Sequence, residues 1–141
     1  MSEQPVKFAT KIAIVIRSDL EPWQKLNVAA FLSSGIAAAF PAAIGASYED
    51  ASDTQYHALL GEPILIYGAD RAALTRALDR AIARNVKAAL YTEEMFATTH
   101  DAANRAAVKA VLRAELNLVG LAFRAERKVI DKIVDGLKFH A

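Results

Sequence analysis

Apolar runs of strand length alternate with helical repeats along the chain. Residues 11–17 form a nearly continuous β-branched run that is apolar on both faces, which predicts a strand in the middle of a sheet. A helix signal follows at Asp19 or Glu21, where Pro22 fits the first turn, and the apolar positions then extend to Phe40. This segment predicts a first helix of about 18 residues.

The alternation then repeats three times, and this order defines the fold class. Gly120 marks a place inside the last strand where a neighbouring backbone approaches closely. Further strands are predicted at residues 63–67, 86–91 and 116–123, and further helices at residues 70–85, 101–112 and 126–135. Four strands alternating with four helices predict one three-layer α/β/α domain over residues 1–141, with a four-stranded mixed sheet and helices on both faces.

The first helix and the turn after it form a long uncharged window. The segment from residue 26 to residue 48 has no charged side chain. A segment of this length is long enough to cross a bilayer. The window is filled with Ala, Ser and Gly, and Pro41 would interrupt a spanning helix. We therefore expect a helix buried on most of its circumference. No secretory signal precedes it, and we expect a cytoplasmic protein.

Composition narrows the possible chemistry. The formal net charge is only +1, which argues against binding polyanions by bulk electrostatics, and the absence of cysteine excludes disulfides and cysteine nucleophiles. The sequence has no glycine-rich nucleotide motif and no G-x-S-x-G elbow. The acidic segment at residues 49–57 matches no metal-binding loop, so we interpret it as a solvated loop that can cover a cleft. We expect neither a metal nor a cofactor.

The loop after the first strand is a candidate binding site, because ligands of such sheets bind outside the carboxyl ends of strands. It contains Arg17, Asp19, Lys25 and the single tryptophan, Trp23, at the start of a helix. A helix N-terminus attracts anions, and Lys25 can meet a phosphate or carboxylate there. The structural alternative is that Asp19 caps the helix, Trp23 seals the core and Arg17 pairs with a surface acid.

The loop after the third strand has the densest set of chemical groups. Glu94 supplies a carboxylate and Thr98 a hydroxyl that can orient a substrate or a water molecule. His100 stands beside Asp101, which makes it a candidate base held in one tautomer. Alternatively, residues 98–101 only cap the next helix, and His100 lies at the surface.

Basic residues recur at helical spacing on the second and third helices. We interpret these stripes as solvated faces, and contact with the phosphate backbone of a nucleic acid is the alternative. The residues are Arg76, Arg80 and Arg84 on the second helix, and Arg105, Lys109 and Arg113 on the third.

Both ends of the chain resemble type II peptidyl-tRNA hydrolases. The opening of that family is similar to two segments of this chain. They are Lys-Ile-Ala-Ile-Val-Ile-Arg-Ser-Asp-Leu at residues 11–20 and Val-Ala-Ala at residues 28–30. Residues 118–123 and 130–134 resemble its closing strand and helix. A closer likeness is to a group of small uncharacterised bacterial proteins that share this fold. It is carried by Tyr-Thr-Glu-Glu-Met-Phe at 91–96, His-Asp at 100–101 and Asn-Arg at 104–105.

The resemblance implies a peptidyl-tRNA hydrolase type II-like fold, but several polar positions of the hydrolases differ in this chain. Aligned on residues 28–30, the family's Lys falls on Asn27, its Gln on Phe31 and its His on Ser34. Lys25 is then the nearest cation. Phe31 and Ser34 make this wall of the cleft more apolar, which suits a different small ligand or no chemistry at all.

Three functions are consistent with the sequence. In the first, the cleft binds or processes an unknown small ligand, with Lys25, Thr98 and His100 as catalytic candidates and Arg17, Asp19, Ser34 and Glu94 as binding candidates. In the second, a divergent peptidyl-tRNA hydrolase acts on tRNA through Lys25 and His100. In the third, the chain is a non-catalytic homo-oligomeric interaction module. We expect a homodimer, formed through the Ala-rich face of the first helix with Ile36 and Phe40.

Overall fold

The computed structural model describes residues 7–141, in which every predicted strand and helix is present with slightly different ends. The strands are β1 (Thr10–Arg17), β2 (Tyr48–Glu49), β3 (Gln55–Tyr56), β4 (Ile64–Ala69), β5 (Ala89–Thr92), β6 (Leu118–Glu126) and β7 (Lys138–Phe139). The helices are α1 (Pro22–Ala39), α2 (Arg71–Ala83), α3 (Asp101–Lys109) and α4 (Arg127–Ile133). Short 3₁₀ turns lie at Pro41–Ala43, Glu93–Ala97 and Arg113–Glu115.

Five strands form one mixed sheet in the order β5-β6-β1-β4-β7. The strands β1 and β4 are parallel, and the other neighbouring pairs are antiparallel. The expected four-stranded sheet is wrong by one strand, because Lys138 and Phe139 of β7 pair with Gly68 and Tyr67. A two-residue edge strand has no alternation that a sequence pattern can reveal. We call the end at which β1, β4 and β5 finish the carboxyl end of the sheet, and the opposite end the amino end.

Helices cover both faces of this sheet, as predicted. Along β1, Ile12 and Ile14 pack with the buried residues of α1, whereas Ala13 and Val15 pack with those of α2 and α4. Because both faces of the central strand are covered, its sequence is an almost continuous apolar run. The architecture is therefore a three-layer α/β/α arrangement.

Helix α1 buries one stripe, which corrects the expectation that most of its circumference is buried. Val28, Leu32 and Ile36 are buried one turn apart, so Ile36 faces the sheet and is not available for the expected subunit contact. A helix lying on one face of a sheet can bury only such a stripe. Trp23 is 60% exposed and Leu26 is 73% exposed, so the tryptophan does not seal the core. Within residues 7–141, none of the helices combines the length and apolar character that a membrane span requires.

A glycine in β6 allows α1 to lie directly on the sheet. A Cβ atom at Gly120 would lie 2.5 Å from Cγ1 of Val28 and 2.9 Å from Cδ1 of Leu32. The close approach predicted at Gly120 is therefore made by helix side chains, not by a neighbouring backbone. This contact sets the distance between α1 and the sheet.

A hydrogen-bonded ion pair holds the amino end of the sheet together. Arg124 Nε donates to Glu62 Oε1 at 2.8 Å, and the hydroxyl of Thr10 donates to Glu62 Oε2 at 3.0 Å. The Arg124 guanidinium also lies 5.0 Å from the centre of the Phe40 ring. Glu62 thus ties the segment before β4 to the first residue of β1 and the end of β6.

Residues 44–60 extend from the amino end of the sheet, and we call them the arm. The arm contains the segment that we interpreted as a solvated loop, and residues 44–57 are all exposed. It nevertheless forms a hairpin, in which Tyr48 of β2 lies opposite Tyr56 of β3. Sequence patterns did not predict this hairpin because each of its strands has only two residues.

Candidate functional site

A cleft lined by aromatic rings opens between α1 and the segment that follows β5. The rings belong to Trp23 and Phe31 of α1, Tyr91 of β5 and Phe96 of the next turn. The cavity has a volume of about 450 Å³, which is within the range of small-molecule sites in proteins. We call this cavity the aromatic cleft.

The four rings contact one another in a chain. The ring centroids of Trp23 and Phe96 are 5.8 Å apart in an edge-to-face arrangement, those of Phe96 and Tyr91 are 5.2 Å apart, and those of Tyr91 and Phe31 are 5.9 Å apart. These separations are favourable for aromatic pairs. The four rings therefore support one another through direct contacts.

His100 lines the cleft and also caps α3. Its Nδ1 accepts a hydrogen bond from the backbone N–H of Ala103 at 3.2 Å, so it is His100, not Asp101, that occupies the N-cap position. A nitrogen that accepts a hydrogen bond carries no proton, and the proton of the neutral ring is therefore on Nε2. The backbone of α3 thus holds His100 in one tautomer, and its role as a base stays a prediction. In this state Nε2 is a hydrogen-bond donor.

The other polar groups near His100 are engaged with each other or with the backbone. The Asp101 carboxylate pairs with Arg105 one turn further along α3. The Thr98 hydroxyl donates to the carbonyl of Met95 at 2.9 Å and lies against the side-chain amide of Asn104. Thr98 and His100 do line the same cavity, and Asn104 lies on its wall beside them.

Tyr91 and Asn27 form the polar part of the floor. Tyr91 is buried, and this burial raises the pKa of its hydroxyl, although a hydrogen bond with Asn27 offsets part of the rise. The phenol therefore stays protonated at neutral pH. Next to it, the backbone N–H of Thr92 donates to the sulfur of Met95 at 3.3 Å, which anchors the turn that carries Phe96.

A separate polar pocket of about 360 Å³ lies at the carboxyl end of the sheet. It contains the predicted residues Arg17 and Asp19, which are paired with each other, since Arg17 Nε donates to Asp19 Oδ1 at 2.6 Å. A second carboxylate oxygen, Glu93 Oε2, lies 3.7 Å from NH1 of Arg17. Asp19 does not cap α1, because Glu21 holds that position and its N–H donates to Gln24 Oε1 at 3.0 Å.

The remaining predicted residues lie outside these two cavities. Lys25 lines a third cavity on the β4 side of α1, together with His140. Ser34 is exposed, and its hydroxyl donates to the carbonyl of Phe31 at 2.6 Å. Glu94 is exposed in the turn after β5. The seven predicted residues therefore do not share one cleft: the structure brings Thr98 together with His100, and Arg17 together with Asp19.

The rings of the aromatic cleft were not among the predicted site residues. A signal for them exists in the sequence, because Trp23, Asn27 and Phe31 recur one turn apart on one side of α1. Exposed aromatic side chains on one side of a helix usually mark a binding surface. Tyr91 and Phe96 have no comparable pattern, since their contact with α1 depends on the fold.

These features define a class of protein: a three-layer α/β domain with an aromatic cleft beside the edge strand β5. Among the described residues 7–141, no three His, Asp or Glu side chains come together in a way that could hold a metal ion. The chain belongs to the family described as "Protein of unknown function (DUF2000)", which matches residues 10–141.

A solved structure has the same fold. It is a protein of unknown function from Agrobacterium tumefaciens, 46% identical to this chain, with a TM-score of 0.93 over 96% of this chain and 100% of that chain. No curated protein matches the chain. The resemblance to a family of uncharacterised proteins is thus confirmed. Neither the family description nor the description of the solved structure names a peptidyl-tRNA hydrolase.

Proposed function

We propose that the protein binds a small, planar, uncharged ligand in the aromatic cleft. The observation that supports this proposal is the chain of four contacting rings around a cavity of about 450 Å³. Flat aromatic walls favour a planar ligand, because stacked or edge-to-face contacts add to the burial of apolar area. A site of this kind needs only a few polar groups to orient the ligand.

The charges around the cleft support an uncharged ligand. Among residues 7–141, Asp101 is the one Asp, Glu, Lys or Arg on the cleft wall, and its carboxylate is paired with Arg105. A charged ligand would lose its hydration without gaining an opposite charge, which is unfavourable. The groups that can still donate a hydrogen bond are instead the Nε2–H of His100 and the remaining N–H bonds of the Asn27 and Asn104 side chains, which suit a ligand carrying a carbonyl or an amide.

The same geometry favours binding over catalysis. His100 Nδ1 is occupied by the helix backbone, the Thr98 hydroxyl donates to a carbonyl, and Asp101 is paired. A general base must reach the proton that it removes, and a nucleophile needs a base beside it. The described residues of the cleft do not provide such a pair in this arrangement.

The structure favours this proposal over the divergent peptidyl-tRNA hydrolase. That reaction would need Lys25 and His100 at one substrate, but the two residues line cavities on different sides of α1. We therefore expect the purified protein not to hydrolyse peptidyl-tRNA. Hydrolysis that is lost in both Lys25→Ala and Thr98→Ala would reverse this preference.

Three compounds of similar size test the proposal. Benzamide is planar and uncharged, benzoate has the same shape with a negative charge, and cyclohexanecarboxamide keeps the amide but is not planar. Trp23 reports binding directly, because it is the single tryptophan and lies in the cleft. We expect benzamide to change the fluorescence of Trp23 saturably. Benzoate and cyclohexanecarboxamide should bind at least about tenfold more weakly than benzamide.

A matched pair of variants locates the binding site. Phe31→Ser removes a ring of the cleft from an exposed position of α1, and Leu26→Ser makes a similar change on the same helix outside the cleft. We expect Phe31→Ser to weaken benzamide binding about tenfold and Leu26→Ser to leave it unchanged. Equal effects of the two substitutions, or no fluorescence change with benzamide, would contradict the proposal.

A further inference from the structure

The base of the arm is held by backbone hydrogen bonds and by a close crossing of its two ends. At its base the backbone N–H of Gly45 donates to Leu59 O at 2.8 Å, and that of Gly61 donates to Ala43 O at 2.7 Å. A Cβ atom on Gly61 would lie only 3.2 Å from Cα of Gly45, so the two ends of the arm cross in close contact. This crossing fixes the direction in which the arm leaves the sheet.

The tip of the arm is equally ordered. One oxygen of Asp50 accepts hydrogen bonds from the backbone N–H groups of Ser52 at 2.8 Å and Thr54 at 3.0 Å. The other oxygen accepts from the hydroxyl of Tyr56 at 2.7 Å. Asp53 adopts the left-handed conformation, with a φ of 65°, that closes the turn. A two-stranded hairpin is marginal by itself, and a rigid one is suited to binding because little ordering is required.

The arm presents tyrosine rings and negative charge. Tyr48 is 53% exposed and Tyr56 is 52% exposed, although they face each other across the hairpin. Glu49, Asp50 and Asp53 give the arm a charge of −3, because residues 44–60 include no lysine or arginine. Since the whole chain carries +1, the rest of it carries +4. The arm and the body of this protein are therefore opposite in charge.

A groove on the body has matching chemistry. It lies between α2 and α4 and has a volume of about 570 Å³. Its lining contains four cations and two carboxylates, a net charge of +2: Arg80, Arg84, Lys128, Lys132, Asp131 and Asp135. In the part of the chain that the structure describes, Arg84, Lys128 and Lys132 have no ion-pair partner within 4.0 Å, whereas Asp131 of the groove is paired with Lys11. The carboxylates of the arm have no ion-pair partner there either. Arginine and lysine also bind the faces of tyrosine rings. We call this cavity the basic groove.

The arm cannot use the basic groove of its own chain, because the two lie on opposite faces of the sheet. The arm follows α1, whereas the groove belongs to the layer of α2 and α4. Both nevertheless lie at the amino end of the sheet. The last residue of β6, Glu126, pairs with Thr10, the first residue of β1, and α4 begins directly after Glu126. A two-fold axis near this end would let each arm reach the groove of the other copy.

We propose that two copies of this chain form a symmetric dimer in which the arm of each copy docks in the basic groove of the other. The contact is isologous, so every pair of contacts occurs twice. It leaves the aromatic cleft free, because no residue of the arm or of the basic groove lines that cleft in the described part of the chain. The proposal is independent of ligand binding in the cleft.

A charge exchange tests this dimer. Glu49→Lys changes the arm and Lys132→Glu changes the groove, and sedimentation equilibrium gives the dimer dissociation constant of each variant. Because each substitution occurs twice in a symmetric dimer, we expect each to weaken the dimer about a hundredfold, or about tenfold per contact. The double variant should restore most of the wild-type affinity, since the opposite charges are present again in exchanged positions.

Lys109→Glu is the control, because it reverses a charge on α3 outside the groove. It should leave the dissociation constant unchanged, and circular dichroism should show that all variants are folded. Folded wild-type protein that is a monomer at every concentration would overturn the proposal. A dimer that is insensitive to Glu49→Lys and Lys132→Glu, or a double variant as weak as the singles, would overturn it as well.

Discussion

Gly120 of β6 and Val28 of α1 are in such close contact that a methyl group cannot be added between them. A Cβ atom at position 120 would lie 2.5 Å from Cγ1 of Val28, whose β-branched side chain has little rotational freedom in a helix. We expect Gly120→Ala to push α1 away from the sheet and to lower the free energy of unfolding by about 2 kcal/mol. Chemical denaturation measures this change.

Gly35→Ala is the matched control for that prediction. A Cβ atom at Gly35 would lie 3.2 Å from Cβ of Ala89, a tight contact that a shift of a few tenths of an ångström would relieve. Alanine in the interior of a helix gains about 1 kcal/mol over glycine, which offsets this contact. We expect a change in stability close to zero, and a loss as large as that of Gly120→Ala would contradict the account of the α1–β6 contact.

The His100 cap should be replaceable by other capping residues. His100→Ala removes the acceptor for the Ala103 N–H and should cost about 1 kcal/mol, whereas His100→Asn supplies another side-chain acceptor and should cost less. Because no residue of α3 is fully buried, the loss should appear mainly as faster hydrogen exchange in α3. Equal exchange rates in the alanine and wild-type proteins would show that His100 does not act as a cap.

Tyr91 should contribute to stability in a pH-dependent way. Burial raises the pKa of its phenol above the unfolded value of about 10, so the folded state holds this proton more tightly. The contribution is complete below that unfolded value and is lost as the pH rises through the folded pKa. Tyr91→Phe cannot ionise, and its free energy of unfolding should fall less steeply than that of the wild type in this alkaline range. Tyr48→Phe, which changes an exposed ring of the arm, serves as the control and should retain the wild-type slope.

Glu62 should be more important for stability than an ordinary surface acid. Its side chain is 6% exposed and accepts hydrogen bonds from Arg124 and Thr10. Glu62→Gln would leave the poorly solvated guanidinium without its counter-charge, and we expect a loss of about 3 kcal/mol. Glu126→Gln, an exposed change at the end of β6, should cost less than about 0.5 kcal/mol. Similar losses in the two variants would contradict the importance of this ion pair.

The main elements could be predicted from the sequence because each carries its own pattern. The continuous apolar run of β1 reflects burial on both faces, and Asn85 and Gly136 have the positive φ angles typical of residues that follow a helix. The hairpin of the arm and β7 have two-residue strands and no such pattern. Their existence depends on neighbouring segments that are distant in sequence.

The candidate site was harder to predict, because its residues meet only in the folded chain. The loops after the strands did identify Thr98 and His100, which line the aromatic cleft. They also grouped Lys25 with these residues, although α1 separates them in space. Glu62 and Arg124 are 62 positions apart, and nothing in either local sequence indicates that they pair.

The central claim is that a planar, uncharged ligand binds among the four rings of the aromatic cleft. The most direct test is to add benzamide to ¹⁵N-labelled protein and record which N–H resonances shift. We predict saturable shifts of the Trp23 indole N–H and of the Asn27 and Asn104 side-chain amides, with none for the backbone N–H groups of Ile66 and His140 beside the third cavity. Shifts confined to the third cavity, or no shifts at all, would contradict the account.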